Sequence, residues 1–201
     1  MRGLALDEAR DALAEAVERH HPSLVLACSF QKEESVLVDL VTQVAPDARV
    51  FTIDTGVLFE ETLATWRAFE ERWGVQVEVH DARGAWTAEH CCGGAKVAAL
   101  ERALEGVDAW ITGVRREQAD TRADAQPVDW DARRGIAKYN PLANWTEEQV
   151  WAYVMERGLP YNPLHDRGYA SIGCAPCTVP GDGRQGRWAG EAKTECGLHV
   201  A

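Results

Sequence analysis

The sequence lacks any run of about 18 apolar residues, the length that a membrane-spanning helix needs. It also lacks a charged-then-apolar leader, so neither a membrane-spanning nor a secreted protein is expected. Basic residues are few: 21 Lys and Arg stand against 32 Asp and Glu, which gives a net charge of -11. Because nucleic-acid binding depends on basic stripes that neutralise phosphates, no nucleic-acid partner is expected either.

The acidic excess lies in the first half of the chain. Residues 1–109 carry 10 Lys and Arg with 20 Asp and Glu, whereas residues 110–201 carry 11 and 12. The second half is therefore nearly neutral, and it contains a local group of arginines. These are Arg115, Arg116, Arg122, Arg184 and Arg187. Such a group favours a small polyanion as the ligand.

Strand and helix patterns alternate along the chain. Short continuous apolar runs predict strands over 24–28, 49–53, 75–79 and 108–112. Apolar residues at helical spacing predict helices over 5–19, 36–44, 59–73, 95–104 and 146–157. In a chain of 201 residues, this alternation predicts one α/β domain built on a doubly wound parallel sheet.

Ligands of such sheets bind at the carboxyl ends of the strands. The segments 29–33, 54–56 and 115–122 each follow a predicted strand, so they are expected to converge there. The end of the chain has a different composition, with four glycines between positions 181 and 190. This composition predicts a folded domain over 1–177 and a mobile tail over 178–201.

Four of the six cysteines form two close pairs. Cys174 and Cys177 are separated by two residues, a spacing that lets both thiolates face one metal centre. Cys91 and Cys92 are adjacent, and their Cα atoms lie roughly 3.8 Å apart. That separation is below the ~4.4–6.8 Å of ordinary disulfides, so the two are poor partners for each other. Both could still face a [4Fe–4S] cluster.

This spacing leaves three interpretations open. The four thiolates could bind a [4Fe–4S] cluster or a structural zinc ion, or they could form two long-range disulfides. Cysteines inside cells are kept reduced, which argues against the disulfides. We expect a cytoplasmic protein. Cys28 stands outside the pattern, at the end of the first predicted strand, and is expected to be a small core residue.

Cys196 lies in the glycine-flanked segment Glu195-Cys196-Gly197, where packing gives no reason for a cysteine. Nearby cations activate thiolates, and Arg184, Arg187 and His199 are within range if the tail folds back. A nucleophile and an incidental surface thiol are the two interpretations.

The segment 29–35 lies where nucleotide-binding α/β folds hold a phosphate. It resembles the Ser-Gly-Gly-Lys-Asp-Ser loop of ATP pyrophosphatases only at Ser29 and Lys32. Phe30 and Gln31 stand where that loop has glycines, which restricts close backbone approach to a phosphate. The two acidic residues after Lys32 would repel a triphosphate. A plain strand-to-helix turn is the alternative.

Asp54, Thr55 and Gly56 end the second predicted strand, where a carboxylate or a backbone amide can contact adenine or ribose. The alternative is a turn in which the aspartate side chain binds the backbone at the start of a helix.

Four cations are further candidates for anion binding. Arg115, Arg116 and Arg122 follow the fourth predicted strand, although a solvated loop would also contain such arginines. Lys96 lies one helical turn after Cys92, which would place an ammonium group near both the cysteines and a bound anion. An exposed helix lysine is the alternative.

Several motifs of this chain occur together in one known family. They are Cys91-Cys92, Trp110–Gly113 with Arg115-Arg116, Asn140–Leu142, Ser171–Cys177 and Lys193–His199. This combination resembles the assimilatory adenosine 5′-phosphosulfate (APS) reductases. The resemblance covers about residues 24–200, and the joint presence of Cys-Cys, Cys-x-x-Cys and Glu-Cys-Gly-Leu-His is highly specific.

The resemblance implies a [4Fe–4S] cluster held by Cys91, Cys92, Cys174 and Cys177, with Cys196 as the nucleophile. It implies reduction of APS to sulfite and AMP in sulfate assimilation, through an S-sulfocysteine that thioredoxin resolves. It also implies an adenine-nucleotide-binding fold of the PP-loop/HUP-like type.

The candidate substrate-binding residues come from five segments of the chain. They are Ser29, Phe30, Gln31, Asp54, Thr55, Gly56, Lys96, Arg115, Arg116, Arg122, Arg184, Arg187 and His199. Three alternatives are a reductase of the 3′-phosphorylated substrate (PAPS) with the same mechanism, an ATP-dependent PP-loop sulfurtransferase, and a non-catalytic module that a metal stabilises. A homo-oligomer is left open.

Overall fold

The structure, a computed structural model, describes residues 2–84 and 94–188, and of residue 2 only the backbone. Five α-helices and six strands occur along these residues. The helices are α1 (Arg2–His20), α2 (Lys32–Val44), α3 (Glu60–Trp73), α4 (Gly94–Ala103) and α5 (Glu147–Glu156). The strands are β1 (Leu24–Ala27), β2 (Arg49–Asp54), β3 (Val77–Asp81), β4 (Ala109–Ile111), β5 (Val128–Asp131) and β6 (Ile136–Tyr139).

The strands form one sheet in the order β3-β2-β1-β4-β6-β5. All neighbouring pairs are parallel except β5 and β6, which are antiparallel. The chain proceeds outward from β1 through β2 to β3 and then returns to place β4 on the other side of β1. The strand order therefore reverses between β1 and β4, the place where ligands of open α/β sheets bind.

The hairpin of β5 and β6 is absent from the sequence-based prediction. Three of the four β5 residues are exposed, because this strand lies at the edge of the sheet. Its sequence alternates apolar residues with Asp129 and Asp131, and it has no continuous apolar run. The turn closes at Gly135, which has a φ of +69° and donates its N–H to the Asp131 carbonyl at 2.7 Å.

Helices cover both faces of the sheet. Neighbouring residues of β1 point to opposite faces, as the strand geometry requires. Leu26 packs on one face of the sheet with residues of α1, α2, α3 and α5, and this cluster is the larger core. Val25 packs on the other face with Leu100 of α4 and with Trp110. Cys28 is buried in the larger core, as predicted.

Asp39 of α2 joins three helices on the larger core face. Its carboxylate accepts hydrogen bonds from Tyr153 Oη at 2.8 Å and Arg157 Nε at 2.7 Å, at the end of α5. It also accepts from Trp73 Nε1 of α3 at 3.3 Å. Because these donors satisfy the buried carboxylate, the network fixes the orientation of α3 and α5 against α2.

No helix in the part of the chain described here is long and apolar enough to cross a membrane.

Residues 178–188 were predicted to begin the mobile tail, but the structure packs them onto the domain. Thr178 pairs with Arg187 in an antiparallel bridge, and the Trp188 N–H donates to the Cys177 carbonyl at 2.9 Å. Trp188 is only 2% exposed. The domain boundary therefore lies at least as far as residue 188. Residues 189–201 are outside the described residues, so for them the tail is still a prediction.

The glycines that suggested mobility have a packing role in this segment. A Cβ atom on Gly186 would collide with the Val179 carbonyl oxygen. The Val179 N–H in turn donates to the Gly186 carbonyl at 2.9 Å. Glycine is needed here because two backbone segments approach closely, a cause that composition alone does not distinguish from flexibility.

Candidate active site

A cavity of about 430 Å³ opens at the carboxyl ends of β1, β2 and β4, beside the point where the strand order reverses. Its lining includes residues of the segments 29–33 and 115–122, which were predicted to converge at this edge. None of the described lining residues comes from the segment 54–56. The loops after β1 and β4 and the segment 170–174 line the cavity, together with residues of β2, of α4 and of the segment 183–187.

The loop after β1 contains a left-handed residue at Phe30, with a φ of 59°. Glycine is usual in this conformation, and glycine occupies this position in the phosphate loop that the segment partly resembles. The ring of Phe30 is buried and stacks on Trp66, with ring centroids 5.3 Å apart. Aromatic packing thus holds the backbone in the conformation that glycine would otherwise permit.

Glu34, in the first turn of α2, binds back onto this loop. Its Oε2 atom accepts hydrogen bonds from Ser29 Oγ and from the Gln31 N–H, both at 3.0 Å. The Gln31 side chain is fixed in turn, since its Oε1 atom accepts from the Ile172 N–H at 2.7 Å. Burial and the neighbouring charge of Glu33 raise the pKa of Glu34 to about 8.

Arg115 lies in a buried ion-pair network and is only 2% exposed. Its guanidinium contacts Glu33 at 2.9 Å, Glu147 at 2.6 Å and Glu117 at 3.1 Å. Lys32 also pairs with Glu147, at 3.1 Å. Burial alone would raise the pKa of Glu33, but the charges of Lys32 and Arg115 lower it to about 2. The charge of Arg115 is thus neutralised within the cavity wall.

The other two arginines of this loop differ in position. Arg122 lines the cavity. Arg116 is not among the lining residues, and its guanidinium donates to the Ala125 carbonyl at 2.6 Å and to Gln126 at 3.1 Å. Arg116 therefore holds the loop that leads to β5.

The segment 54–56 forms the side-chain turn that was the alternative to ligand binding. Asp54 Oδ1 accepts from the Gly56 N–H at 2.8 Å, and Asp54 also pairs with Arg83 at 3.4 Å. Thr55 has a different role, because its Oγ1 atom lies 3.2 Å from Cys174 Sγ in a buried contact.

Cys174 directly precedes the short 3₁₀ turn Ala175–Cys177, and the Cys177 N–H donates to the Cys174 carbonyl at 3.2 Å. The pKa of Cys174 is lowered to about 6 by a hydrogen bond from Cys177, and burial opposes this shift. The charge of Lys96, a hydrogen bond from Thr55 and the charge of Arg187 lower the same pKa further. A thiol that ionises this easily suits a soft metal.

The remaining predicted cysteine ligands, Cys91 and Cys92, lie outside the described residues, as do Cys196 and His199. Within the described residues there is no group of three or more metal-binding side chains. Lys96, in the first turn of α4, lines the cavity, and its charge lowers the pKa of Cys174. Cys174 and Cys177 would supply two of the four thiolates of the predicted site.

Lys96, Arg184 and Arg187 also line the cavity, and the charges of Lys96 and Arg187 lower the pKa of Cys174. Arg187 is 8% exposed and donates from Nη1 to Ser171 Oγ at 3.2 Å. Its guanidinium lies over the ring of Trp188, with 4.7 Å between Cζ and the ring centroid. These residues give this part of the cavity wall a positive charge.

Sequence reasoning did not identify Gly173 as part of this wall. A Cβ atom at Gly173 would lie 2.5 Å from Arg187 Nη2, so only glycine leaves room for the guanidinium. The signal in the sequence was a glycine directly before a cysteine that was predicted to be a ligand, which also fits an ordinary turn.

Comparison with known proteins identifies similar sequences. Residues 23–180 match the family described as "Phosphoadenosine phosphosulfate reductase domain". A relative from Gloeobacter violaceus, named phosphoadenosine 5′-phosphosulfate reductase, is 47% identical, and the match covers 94% of this chain and 87% of the relative. A relative from Geobacillus kaustophilus, named adenosine 5′-phosphosulfate reductase, is 44% identical, with 96% and 90% covered.

Solved structures share the fold. The phosphate complex of PAPS reductase from Candida auris has a TM-score of 0.73 at 29% identity, covering 85% of this chain and 90% of that chain. FMN adenylyltransferase from Candida glabrata, in complex with FAD and inorganic pyrophosphate, has a TM-score of 0.72 at 16% identity, covering 90% and 65%. The predicted α/β fold of the PP-loop/HUP-like type is thereby confirmed.

Proposed function

This chain belongs to the phosphoadenosine phosphosulfate reductase domain family, and from that premise we propose that it reduces APS to sulfite and AMP. It is an oxidoreductase, as its named relatives are. The observation that carries the proposal is the position of Cys174 in the wall of a nucleotide-sized cavity that Lys96, Arg184 and Arg187 also line. This arrangement suits a small anion bound beside thiolates.

The chemistry requires such cations. An anionic thiolate must attack the sulfur atom of a sulfonate that is itself negative and is joined to a phosphate. Repulsion would oppose this approach unless positive groups surround the sulfonate and the phosphate. We assign this role to Lys96, Arg184 and Arg187, with Arg122 and His199 as further contacts.

Cys196 is the proposed nucleophile. Its thiolate attacks the sulfur of APS, a new S–S bond forms, the bond between sulfur and the phosphate oxygen breaks, and AMP leaves with that electron pair. The product is an S-sulfocysteine. A thiolate of thioredoxin then attacks Cys196 Sγ and releases sulfite, and the second thiol of thioredoxin reduces the mixed disulfide. The two electrons come from the thioredoxin dithiol.

We propose that Cys91, Cys92, Cys174 and Cys177 hold a [4Fe–4S] cluster. The lowered pKa of Cys174 supports thiolate ligation, and the Cys-x-x-Cys turn brings two ligands together. When bound, the cluster would supply a fixed charge distribution beside the substrate.

Free thiols and a dithiol reductant require a reducing compartment, so we place the protein in the cytoplasm.

The loop after β1 argues against the ATP-dependent sulfurtransferase. A triphosphate would need the donors that Glu34 already occupies.

PAPS is the second candidate substrate, because the relative from Gloeobacter violaceus bears the name of a PAPS reductase. Both substrates undergo the same reaction at sulfur.

Covalent labelling tests the proposal. We expect purified protein incubated with APS labelled at sulfur to retain the label on a non-reducing gel, and Cys196→Ser to lose it. The variant should keep its iron content and AMP affinity. Cys28→Ala is the matched control, because Cys28 lines the cavity but is neither the proposed nucleophile nor a proposed ligand, and the variant should still be labelled.

Labelled PAPS in a parallel reaction determines the substrate. Faster labelling by PAPS than by APS would contradict the assignment to APS while keeping the mechanism. Labelling of Cys196→Ser to the wild-type level would contradict the assigned nucleophile.

A further inference from the structure

The turn from β1 into α2 lies where nucleotide-binding α/β proteins hold phosphates. The first N–H groups of a helix have no partner within the helix, so such turns bind anions. In this chain an internal group is bound instead. Ser29 Oγ and the Gln31 N–H both donate to Glu34 Oε2 at 3.0 Å, and Glu34 lines the cavity.

We propose that Glu34 is a specificity-determining residue, whose carboxyl group fills this turn and thereby excludes nucleoside triphosphates from the cavity. The inference rests on the proposed function, because both require an adenine nucleotide as the ligand of the cavity. It adds a residue that selects for a short anionic group over a chain of phosphates.

Packing prevents the Glu34 side chain from moving aside. A Cβ atom added to Gly113 would lie 2.6 Å from Glu34 Oε1, so the backbone after β4 contacts the carboxyl group directly. Glu34 is only 6% exposed. On the other side, Gln31 Nε2 donates to Ser29 Oγ at 3.2 Å, and the Gln31 side chain is itself bound to the Ile172 N–H. A phosphate could reach these donors only by displacing a packed side chain.

The surrounding charges also disfavour additional phosphates at this end of the cavity. Glu33 is adjacent, buried and held ionised by Lys32 and Arg115. Lys32 contacts Glu147 at 3.1 Å, and Arg115 contacts both carboxylates. These two cations are therefore already neutralised by protein carboxylates. An additional phosphate would therefore compete with these carboxylates for Lys32 and Arg115.

Burial keeps Glu34 largely protonated near neutral pH, since its pKa is about 8. Exclusion at pH 7 therefore arises from occupancy of the donors and of the space, more than from the charge of Glu34. Two variants can therefore distinguish the effect of filling the turn from the effect of the charge of Glu34. Glu34→Ser shortens the side chain and frees the turn, whereas Glu34→Gln keeps it filled with an uncharged group of the same size.

The test compares ATP with AMP, measured by calorimetry at pH 7 in magnesium-free buffer. We expect Glu34→Ser to bind ATP at least about tenfold tighter than wild type does, with AMP affinity changed less than about twofold. Glu34→Ala should show the same gain. Glu34→Gln and the exposed control Glu71→Gln should keep the wild-type ratio of the two affinities.

An unchanged ratio in folded Glu34→Ser and Glu34→Ala would overturn the proposal. A gain in Glu34→Gln as large as in Glu34→Ser would also overturn it, because the turn would still be filled. Thermal melts establish that each variant is folded. Sulfite formation from APS is assayed in the same preparations, so absence of turnover in wild type would contradict the proposed function without deciding the role of Glu34.

Discussion

At the scale of single residues, Gly173 determines where Arg187 can lie. The Arg187 guanidinium is packed against the Gly173 backbone, and its Nη1 atom donates to the Ile172 carbonyl at 3.1 Å. It also lies over the Trp188 ring. The cation is thus oriented by backbone and aromatic contacts, which leaves its charge beside the cavity without a carboxylate among these contacts. Arg115 differs, because three carboxylates neutralise it.

We expect Gly173→Ala to displace Arg187 and to raise the KM for APS on the order of tenfold, about 1.4 kcal/mol. The added methyl group would lie 2.5–2.7 Å from the guanidinium, so the side chain must move. Steady-state kinetics measure the effect. Gly3→Ala is the control, because no atom lies within 4 Å of the added carbon, and its KM should be unchanged. A wild-type KM in Gly173→Ala would show that Arg187 does not contact the substrate.

The second prediction at this scale concerns Cys174. We expect Cys174→Ala to lose bound iron, because the thiol with the lowered pKa is a proposed ligand and no neighbouring side chain replaces it among the described residues. Iron analysis and the visible absorbance of the purified protein measure the loss. Cys28→Ala should keep wild-type iron, since Cys28 lies in the core. Full iron content in Cys174→Ala would remove this residue from the ligand set.

At the scale of secondary structure, the central part of the fold follows from local sequence patterns. Buried parallel strands carry continuous apolar runs, and the helices that cover them repeat apolar residues at helical spacing, so both are visible in the sequence. The edge strand β5 is not, because a strand with one partner needs no continuous apolar run. Trp130 on β5 is 60% exposed, so burial contributes little to its pattern.

The candidate site was less predictable than the fold, for a different reason. A sequence shows that an arginine is present, but its role depends on residues that are distant in the chain. Arg115 is neutralised by Glu33 and Glu147, which come from α2 and α5. Arg187 instead contacts main-chain carbonyl and hydroxyl oxygens. The residues next to Arg115 and Arg187 in the sequence do not show which of the two arginines is neutralised. The Cys-x-x-Cys spacing, in contrast, is visible within four consecutive residues.

The start of α2 gives a prediction for stability against pH. The folded-state pKa of Glu34, about 8, lies above its ordinary value of 4.5. The protonated group therefore stabilises the fold fully below pH 4.5, and this contribution is lost as the pH rises to 8. Glu34→Gln cannot ionise. We expect its stability relative to wild type to increase by a few kcal/mol between pH 5 and pH 8.

Urea unfolding at several pH values measures this difference. Subtracting wild type from the variant cancels the groups that both proteins share. Glu71→Gln, at an exposed glutamate of α3, is measured in parallel as the control substitution. A constant difference between Glu34→Gln and wild type at all pH values would show that Glu34 ionises normally in the folded protein.

At the scale of the whole molecule, the net charge of the protein and the charge of the proposed substrate are both negative. The chain carries a net charge of -11, and the proposed substrate is an anion. Long-range attraction therefore cannot concentrate the substrate, and binding must depend on a few cations at short range. The cavity lies at the switch point of the sheet, where loops from both halves of the chain contribute those groups. The proposed anion binding by an acidic protein therefore depends on the few cations that line this cavity, Lys96, Arg122, Arg184 and Arg187.

The extent of the folded domain can be tested by truncation. A chain ending at Trp188 should melt near the full-length protein and retain iron, whereas a chain ending at Cys177 should be less stable. The longer chain keeps buried Thr178, Arg187 and Trp188, and loss of a buried tryptophan alone costs about 3–5 kcal/mol. Neither chain should form sulfite, because both lack Cys196. Equal melting temperatures would show that residues 178–188 add no stability, and sulfite formation by the chain ending at Trp188 would exclude Cys196 as the nucleophile.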